Sequence, residues 1–297
     1  MNKLSNVSSL AYAKLNLTLE ILGRRDDGYH EIKTVMQTIN LADRLEFSPS
    51  TRLQVECDDQ SLAGKANLVW KAAQDLADSA GISPRARITI EKHIPNSMGL
   101  GGGSSDAACA LVSLNQLWDL NLSLERLSEI AAGIGSDVSF FLSGGTALAE
   151  GRGEQVSLLP PLPSTPVILV CPYINLPNKT AAMYSKLTAA NFSDGGITRR
   201  MIQILAGGHY VRDSVGGLIQ NAFEEVASLA FPDLSSVRQE LEQLAPGKFH
   251  LSGAGPALFA LPASESDSRV VADALQPYNA GVYLVHTVSP RTAASIV

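Results

Sequence analysis

Cysteine is scarce in this chain, with 3 in 297 residues, at Cys57, Cys109 and Cys171. They lie far apart, so no Cys-x-x-Cys redox pair and no zinc-ligand spacing exists, and an odd number suits a reducing compartment. The 5 histidines are scattered, without a His-Glu-x-x-His pair or its equivalents. Positive charge is also short. Lys and Arg total 23 against 29 Asp and Glu, a formal net charge of −6, which disfavours a general binder of nucleic acid or anionic membrane. No apolar run approaches the roughly 20 residues of a membrane span. The amino-terminal stretch MNKLSNVSSLAYAKLNL is broken by Asn, Ser and Lys14, unlike a signal peptide. These absences predict a soluble cytoplasmic protein with neither a nucleic-acid nor a membrane partner. Hydrophobic residues make up 45%, enough for one large core or two smaller ones.

The hydrophobic pattern predicts mixed structure. Residues 10–22 alternate, with Ala13, Leu15, Leu17, Leu19 and Ile21 on one face and Tyr12, Lys14, Asn16, Thr18 and Glu20 on the other, as in a strand. Strands are expected at 31–41, 43–47, 53–57 and 85–91, and helices at 68–79, 105–117 and 123–134, the last capped by Ser123. Four prolines in LLPPLPSTP (158–166) form a stiff connector and the best domain boundary. Two domains are therefore expected, residues 1–163 and 164–297. In the second, strands are expected at 167–170, 249–252, 257–261 and 282–288, and helices near 180–188, 198–205, 214–230, 234–244 and 268–275. The order implies α+β halves rather than strict βαβ alternation.

Glycine is concentrated in PNSMGLGGGSSDAACALVSL (95–114), between a strand and a helix. Glycine reaches positive φ cheaply and lets a ligand approach the backbone. The first N–H groups of a helix have no internal partner and carry the positive end of its dipole. Gly99, Leu100, Gly101, Gly102 and Gly103, with Ser104 and Ser105 opening the helix, thus form an anion cradle. A flexible surface loop is the plainer alternative, but such linkers are rarely clamped between a strand and a helix. The loop lacks the Gly-Lys-Ser/Thr of a Walker motif. Ser104 stands where a dinucleotide fingerprint has its third glycine, and no ribose-binding carboxylate follows, which counts against an oxidoreductase.

KHIPNSMGLGGGSSDAA resembles the second motif of the GHMP family of small-molecule kinases, and LSGAGPALFAL (251–261) is similar to its C-terminal glycine motif. AYAKLNLTLEILGRRDDGYHEI, GSDVSFF (135–141) and GGTALAEGRGE (144–154) narrow the resemblance to the branch that phosphorylates a cytidylylated methylerythritol. The matches run from residue 11 to 261 in family order. The resemblance implies an α+β, two-domain GHMP kinase architecture. Its N-terminal nucleotide-binding domain would be ribosomal-S5-like, its smaller C-terminal domain α/β, and the active site would lie in the cleft between them. It implies ATP with Mg²⁺ as phosphoryl donor, and as acceptor the 2-hydroxyl of 4-diphosphocytidyl-2-C-methyl-D-erythritol, an intermediate of non-mevalonate isoprenoid synthesis. A monomer or weak homodimer is expected.

The departures are Met98 for a small residue, Ser136 and Ser139 for Ala and Pro, Ala257 in the third motif, and LPNKTAAMY (176–184), which matches only loosely. None removes a charged group that the chemistry needs.

The resemblance assigns Lys14 and Asp137 as the catalytic pair, Asp137 as base and Lys14 orienting the hydroxyl. Without it, Lys14 would read as a snorkelling surface lysine and Asp137 as a turn or cap aspartate. ATP would contact Pro95, Asn96, Ser97, Met98 and the glycine run through Ser105, with Lys92, Asn67, Gly253 and Gly255. An exposed strand-end lysine, a helix cap and a hairpin turn are the plainer readings of the last four. The acceptor would contact Asn16, Tyr29, His30, Thr180 and Tyr184, with aromatic stacking on cytosine; loop packing and a satisfied structural histidine are the alternatives for Tyr29 and His30. Ser104 or Ser105 would reach Mg²⁺ on the ATP phosphates, and no protein carboxylate is assigned to the metal. A non-catalytic sensor on the same fold, a GHMP kinase for another small alcohol, and an S5-like RNA binder remain as rivals, the last disfavoured by charge.

Overall fold

The computed structural model describes residues 6–174, 178–208, 212–245, 248–262 and 266–289. The first five residues of the amino-terminal stretch, and Leu176 and Pro177 of LPNKTAAMY, lie outside them. The strands are β1 (Val7–Arg24), β2 (His30–Pro49), β3 (Gln54–Cys57), β4 (Ala86–Glu91), β5 (Thr146–Gly151), β6 (Gln155–Leu158), β7 (Pro166–Pro172), β8 (Gln220–Asn221), β9 (His250–Leu251), β10 (Leu258–Ala260) and β11 (Ala280–His286). The helices are α1 (Leu68–Ala80), α2 (Gly102–Leu117), α3 (Leu124–Ile134), α4 (Val138–Ser143), α5 (Lys179–Tyr184), α6 (Gly196–Ala206), α7 (Arg212–Gly216), α8 (Glu224–Ala230), α9 (Leu234–Leu244) and α10 (Asp267–Ala274).

Two sheets face each other between helical layers. The first runs β3-β4-β2-β1-β8, with β5 and then β6 continuing from β2. β2 serves two neighbours because it is long: residues 32–37 pair with β5 and 44–49 with β4. The second sheet is antiparallel, β11-β7-β10-β9. One core lies between the first sheet and α1–α4, built on Phe47, Leu76, Leu111 and Phe140. A second joins the inner faces of the two sheets, with Leu15, Leu17 and Ile39 against Leu169 and Phe259. The third lies under α8, α9 and α10, with Val170 and Leu258 against Val226, Val237 and Val271.

Three local differences from the sequence reading have physical causes. The two strands expected at 31–41 and 43–47 are one strand with a bulge. Ala13 pairs with Ile39 and Tyr12 with Ala42, so Asn40 and Leu41 are the extra residues. The helix expected at 105–117 begins at Gly102, because Gly101 takes the left-handed conformation (φ 74°) and starts the turn. The helix expected at 214–230 is broken. Its middle is drawn out beside β1, with Gln220 opposite Thr18 and Asn221 opposite Leu19. The Asn221 amide there donates 2.8 Å bonds to the carbonyls of Leu251 and Gly253.

Candidate active site

The polar face of β1 is buried rather than solvated. Lys14 is 4% exposed, and Asn16, Thr18 and Glu20 are equally enclosed. Each finds a partner, as buried polar groups must. Glu20 accepts from Thr198 N–H at 2.7 Å and from the Ser193 hydroxyl at 2.8 Å. Thr18 accepts from the Thr198 hydroxyl at 2.9 Å and from Val35 N–H at 3.0 Å. The Asn16 amide donates to Thr34 Oγ1 at 2.8 Å, which leaves Asn16 Oδ1 to accept from Lys14 Nζ at 2.6 Å. Lys14 Nζ stands 3.4 Å from the Asp137 carboxylate. Asp137 occupies the N-cap position of α4, yet its side chain makes no capping hydrogen bond. The carboxylate is half-exposed and turned to Lys14.

The glycine-rich loop is held by three hydrogen bonds from two sides. Leu100 C=O accepts from Lys14 N–H at 2.9 Å, which fixes the loop to β1. Met98 C=O accepts from Ala257 N–H at 3.2 Å, and Gly99 C=O from the Ser252 hydroxyl at 3.2 Å, which fixes it to the third glycine motif. The two departures Met98 and Ala257 therefore meet, and both are buried in the core between the sheets. Gly99 has φ 82°, and a Cβ there would lie 2.1 Å from Ser252 O, so no other residue fits. A Cβ on Gly103 would meet nothing closer than 3.8 Å. That leaves open space over the first turn of α2, where unpaired N–H groups face outward.

Lys92 is buried beneath this turn. Its ammonium pairs with Asp43 and, at 2.7 Å, with Asp106. Asp43 also accepts from the backbone N–H groups of His93 (2.6 Å) and Ile94 (2.8 Å), so it anchors the chain entering the loop. Burial works against the Lys92 charge, but Asp106 and Asp43 outweigh it and raise its pKa. Burial, with Asp43 adding to it, raises the Asp106 carboxyl to about 7 against the pull of Lys92. Asp106 Oδ1 has no partner.

At the other end of the cavity the His30 and Tyr184 rings stack at 4.9 Å, and Phe223 meets Tyr184 edge-on. Burial, aided by Arg24, lowers the His30 pKa, which favours the neutral ring. Burial and then Asp137 raise the Tyr184 phenol. Tyr29 is 54% exposed, and the Arg152 guanidinium covers its ring at 4.9 Å.

A cavity of about 1620 Å³ joins these parts. Single-ligand pockets usually occupy about 300–1,000 Å³, so this one has room for a donor and an acceptor together. It is lined by Lys14, Asn16, Tyr29, His30, Lys92, residues 95–104, Asp137, Thr180, Tyr184 and Gly253. Three of the expected residues are not on its wall. Ser105 is buried one step deeper in α2. Gly255 lies behind the wall. Asn67 caps α1, accepting from Val69 N–H at 2.8 Å and donating to Leu62 C=O at 2.7 Å. Asp43, Asp106, Arg152 and Lys179 were not singled out from sequence. Lys179 stands in LPNKTAAMY and Arg152 in GGTALAEGRGE, but nothing local marks either as facing a site. Among the described residues no three His, Cys, Asp or Glu side chains gather to hold a metal ion. The Ser104 hydroxyl beside an anion cradle fits Mg²⁺ that arrives on a nucleotide's phosphates, whereas the expected Ser105 is buried away from the cavity.

Residues 67–145 match the model for the GHMP kinases N terminal domain, and residues 211–280 the model for GHMP kinases C terminal. A 4-diphosphocytidyl-2-C-methyl-D-erythritol kinase of Dehalococcoides mccartyi is 40% identical over 282 residues, 95% of this chain and 98% of that protein. The chain belongs to the GHMP kinase family. A kinase of the same name from Bacillus cereus is 38% identical over 291 residues, covering 95% of this chain and 96% of that one. Among solved structures, a 4-(cytidine 5'-diphospho)-2C-methyl-D-erythritol kinase matches with a TM-score of 0.77 and 33% identity, over 95% of this GHMP kinase and all (100%) of that chain. A homoserine kinase from Cytophaga hutchinsonii shares the fold alone, with a TM-score of 0.78 at 17% identity over 100% of this chain and 98% of that one.

Proposed function

We propose that this GHMP kinase transfers the γ-phosphoryl group of ATP to the 2-hydroxyl of 4-diphosphocytidyl-2-C-methyl-D-erythritol. The observation that carries the reading is the Asn16–Lys14–Asp137 chain, which ends in an uncapped carboxylate on a cavity shared by a glycine cradle and an aromatic cluster. The relatives' printed names supply the substrate.

In this reading the N–H groups at the start of α2 hold the donor's phosphates. Bound Mg²⁺ would neutralise phosphate charge, with Ser104 as the hydroxyl within reach. Asp137 takes the proton of the 2-hydroxyl as its oxygen bonds to phosphorus. The bond from phosphorus to the β–γ bridging oxygen breaks, and that oxygen leaves with ADP. Lys14, fixed by Asn16, orients the hydroxyl and meets the charge that develops on the transferred group. His30 and Tyr184 are too close to admit a base between them, so cytosine stacks on Tyr29 while His30 offers its polar edge. Residues 1–163 and 164–297 form the two domains, and the enzyme works in the cytoplasm as a monomer or weak homodimer. Among the described residues no helix is long and apolar enough to cross a membrane.

ADP release from ATP and Mg²⁺ tests the proposal, with the cytidyl acceptor compared against galactose, homoserine, mevalonate and no acceptor. Turnover with the cytidyl acceptor alone is expected. Asp137→Asn should lower kcat by about 10²–10⁴ and leave binding of a non-hydrolysable ATP analogue intact. Near-normal turnover in Asp137→Asn would exclude the base. ATP binding without turnover on any acceptor would point to a sensor.

A further inference from the structure

We propose that Lys179 is a phosphate-binding residue of the transfer site, a second cation that reaches across from α5 to the phosphoryl group held over the glycine-rich loop. The proposal rests on the kinase reading and adds a residue to it. Lys179 opens α5, in the half of the chain that carries the second sheet. Its Nζ donates to Ser97 C=O at 2.8 Å and to Gly255 C=O. One carbonyl belongs to the glycine-rich loop and the other to the third glycine motif, so the ammonium lies where the two phosphate-facing loops converge. An ammonium has three donors, and two are used.

The charges around it do not balance. The groups that face Lys179 are Lys14 from β1 and Asp137 at the start of α4; the two loops offer it only carbonyls. Among the described residues no carboxylate comes within ion-pair distance of Lys179, and Asp137 is already the partner of Lys14. Two lysines and one aspartate leave this corner of the cavity with one uncompensated positive charge. Burial first, and then the nearby Lys14, lower the Lys179 pKa to about 8. A fold does not gain by burying a lysine beside a lysine; the arrangement is favourable once an anion arrives. Phosphate oxygens would replace neutral carbonyl acceptors by charged ones, and hydrogen bonds to a charged partner are the stronger. The phosphate source is the donor's terminal group in the first instance. The acceptor's diphosphate has the same chemistry, and the experiment separates the two.

The test is calorimetric binding to the full-length wild type, Lys179→Met and Lys179→Arg, using a non-hydrolysable ATP analogue with Mg²⁺ and, separately, CDP, at pH 7 and pH 9. A cation that must be protonated and titrates near 8 predicts about tenfold weaker wild-type binding at pH 9 than at pH 7. Lys179→Arg, which keeps its charge at both values, should bind within a few-fold of wild type at pH 7 and lose this pH dependence. Lys179→Met should bind at least tenfold more weakly at pH 7. Loss confined to the ATP analogue places the contact on the donor, and loss confined to CDP places it on the acceptor; both support a phosphate contact. Unchanged affinity of Lys179→Met for both ligands overturns the proposal. So does a pH dependence that persists undiminished in Lys179→Arg, which places the titrating group elsewhere. Since Lys179→Arg keeps the charge and N–H donors of its own, it decides the matter even if Lys179→Met fails to fold. Wild type that binds the analogue but turns over no acceptor would sink the kinase reading and leave this contact standing. An active wild type matched by Lys179→Met in both binding experiments would do the reverse.

Discussion

Asp43→Asn should destabilise the N-terminal half far more than Asp106→Asn, although both remove one carboxylate from the same lysine. Asp43 is fully buried and uses both oxygens, one for the N–H groups of His93 and Ile94 and the other for Lys92. An asparagine there has one acceptor. If it keeps the two backbone donors, its NH₂ group faces the Lys92 ammonium, donor against donor. If it flips, two N–H groups lose their partner, at about 1–3 kcal/mol each. Breaking a buried ion pair outright costs about 3–5 kcal/mol, and Lys92 retains Asp106, so we expect about 3 kcal/mol. Asp106 makes one bond to Lys92 and leaves Oδ1 unpaired among the described residues, and burial raises its pKa. Its replacement by a neutral amide should cost under about 1 kcal/mol at pH 7. The pH dependence has a definite sign. Because the folded value of about 7 lies above the ordinary 3.8, the folded state binds the extra proton between them. The stability this group contributes is therefore full below about pH 4 and lost as pH rises through 7. Asp106→Asn lacks that loss, so its stability relative to wild type should improve from pH 4 to pH 7. Urea unfolding followed by tryptophan fluorescence reads the right region, since Trp70 and Trp118 both pack on the core under α1–α4. An Asp43→Asn unfolding free energy within about 1 kcal/mol of wild type, or a larger cost for Asp106→Asn, would refute this account.

Two glycines of the loop should behave oppositely. Gly99→Ala forces a methyl onto Ser252 O at positive φ and should abolish binding of the ATP analogue and lower the urea midpoint. Gly103→Ala has room for its methyl and should fold at least as stably, gaining up to about 1 kcal/mol of helix propensity, while weakening the analogue by filling the cradle; unchanged calorimetric affinity would place the phosphate elsewhere. Tyr29→Ala removes the exposed ring on which cytosine stacks and should raise KM for the cytidyl acceptor roughly tenfold, within the usual 1–3 kcal/mol of base stacking, with KM for ATP unmoved; steady-state kinetics with each substrate varied in turn decides it.

Much of this was legible because it is local. Alternation through residues 10–22 marks a strand, and glycine before an apolar helical run marks an anion cradle. Asn67 and Ser123 do what their residue types do at helix starts. The failures are contacts between distant positions. Alternation showed that Lys14, Asn16, Thr18 and Glu20 share a face but not that Ser193 and Thr198 cover it. Lys92 meets carboxylates 49 and 14 residues away. Lys179 meets carbonyls 82 and 76 residues away, and a backbone carbonyl leaves no mark on sequence. The broken helix at 214–230 carried a signal in Gly216 and Gly217, which its apolar composition outweighed.

The position of the reacting groups follows from the length of β1. An 18-residue strand is too long to serve one core. Its Val7 and Ala11 pack under the helices of the N-terminal half, Ala13 to Leu17 between the sheets, and Leu19 and Ile21 against the second half. Lys14 and Asn16 therefore stand at the seam, on a strand that both halves grip. The second half returns to the same strand through β8, and the Asn221 side chain there holds the carbonyl of Gly253 at 2.8 Å. A Cβ on Gly253 would lie 3.2 Å from Lys14 Nζ, so the third motif reaches the lysine only because it is glycine there. The glycine-rich loop is fixed to Lys14 N–H through Leu100. Asp137 belongs to the same half as Lys14, and these ties fix the lysine's side of the pair. The pair is thus preorganised by the strand both halves share, and binding energy from a cytidine some distance away need not be used to assemble it.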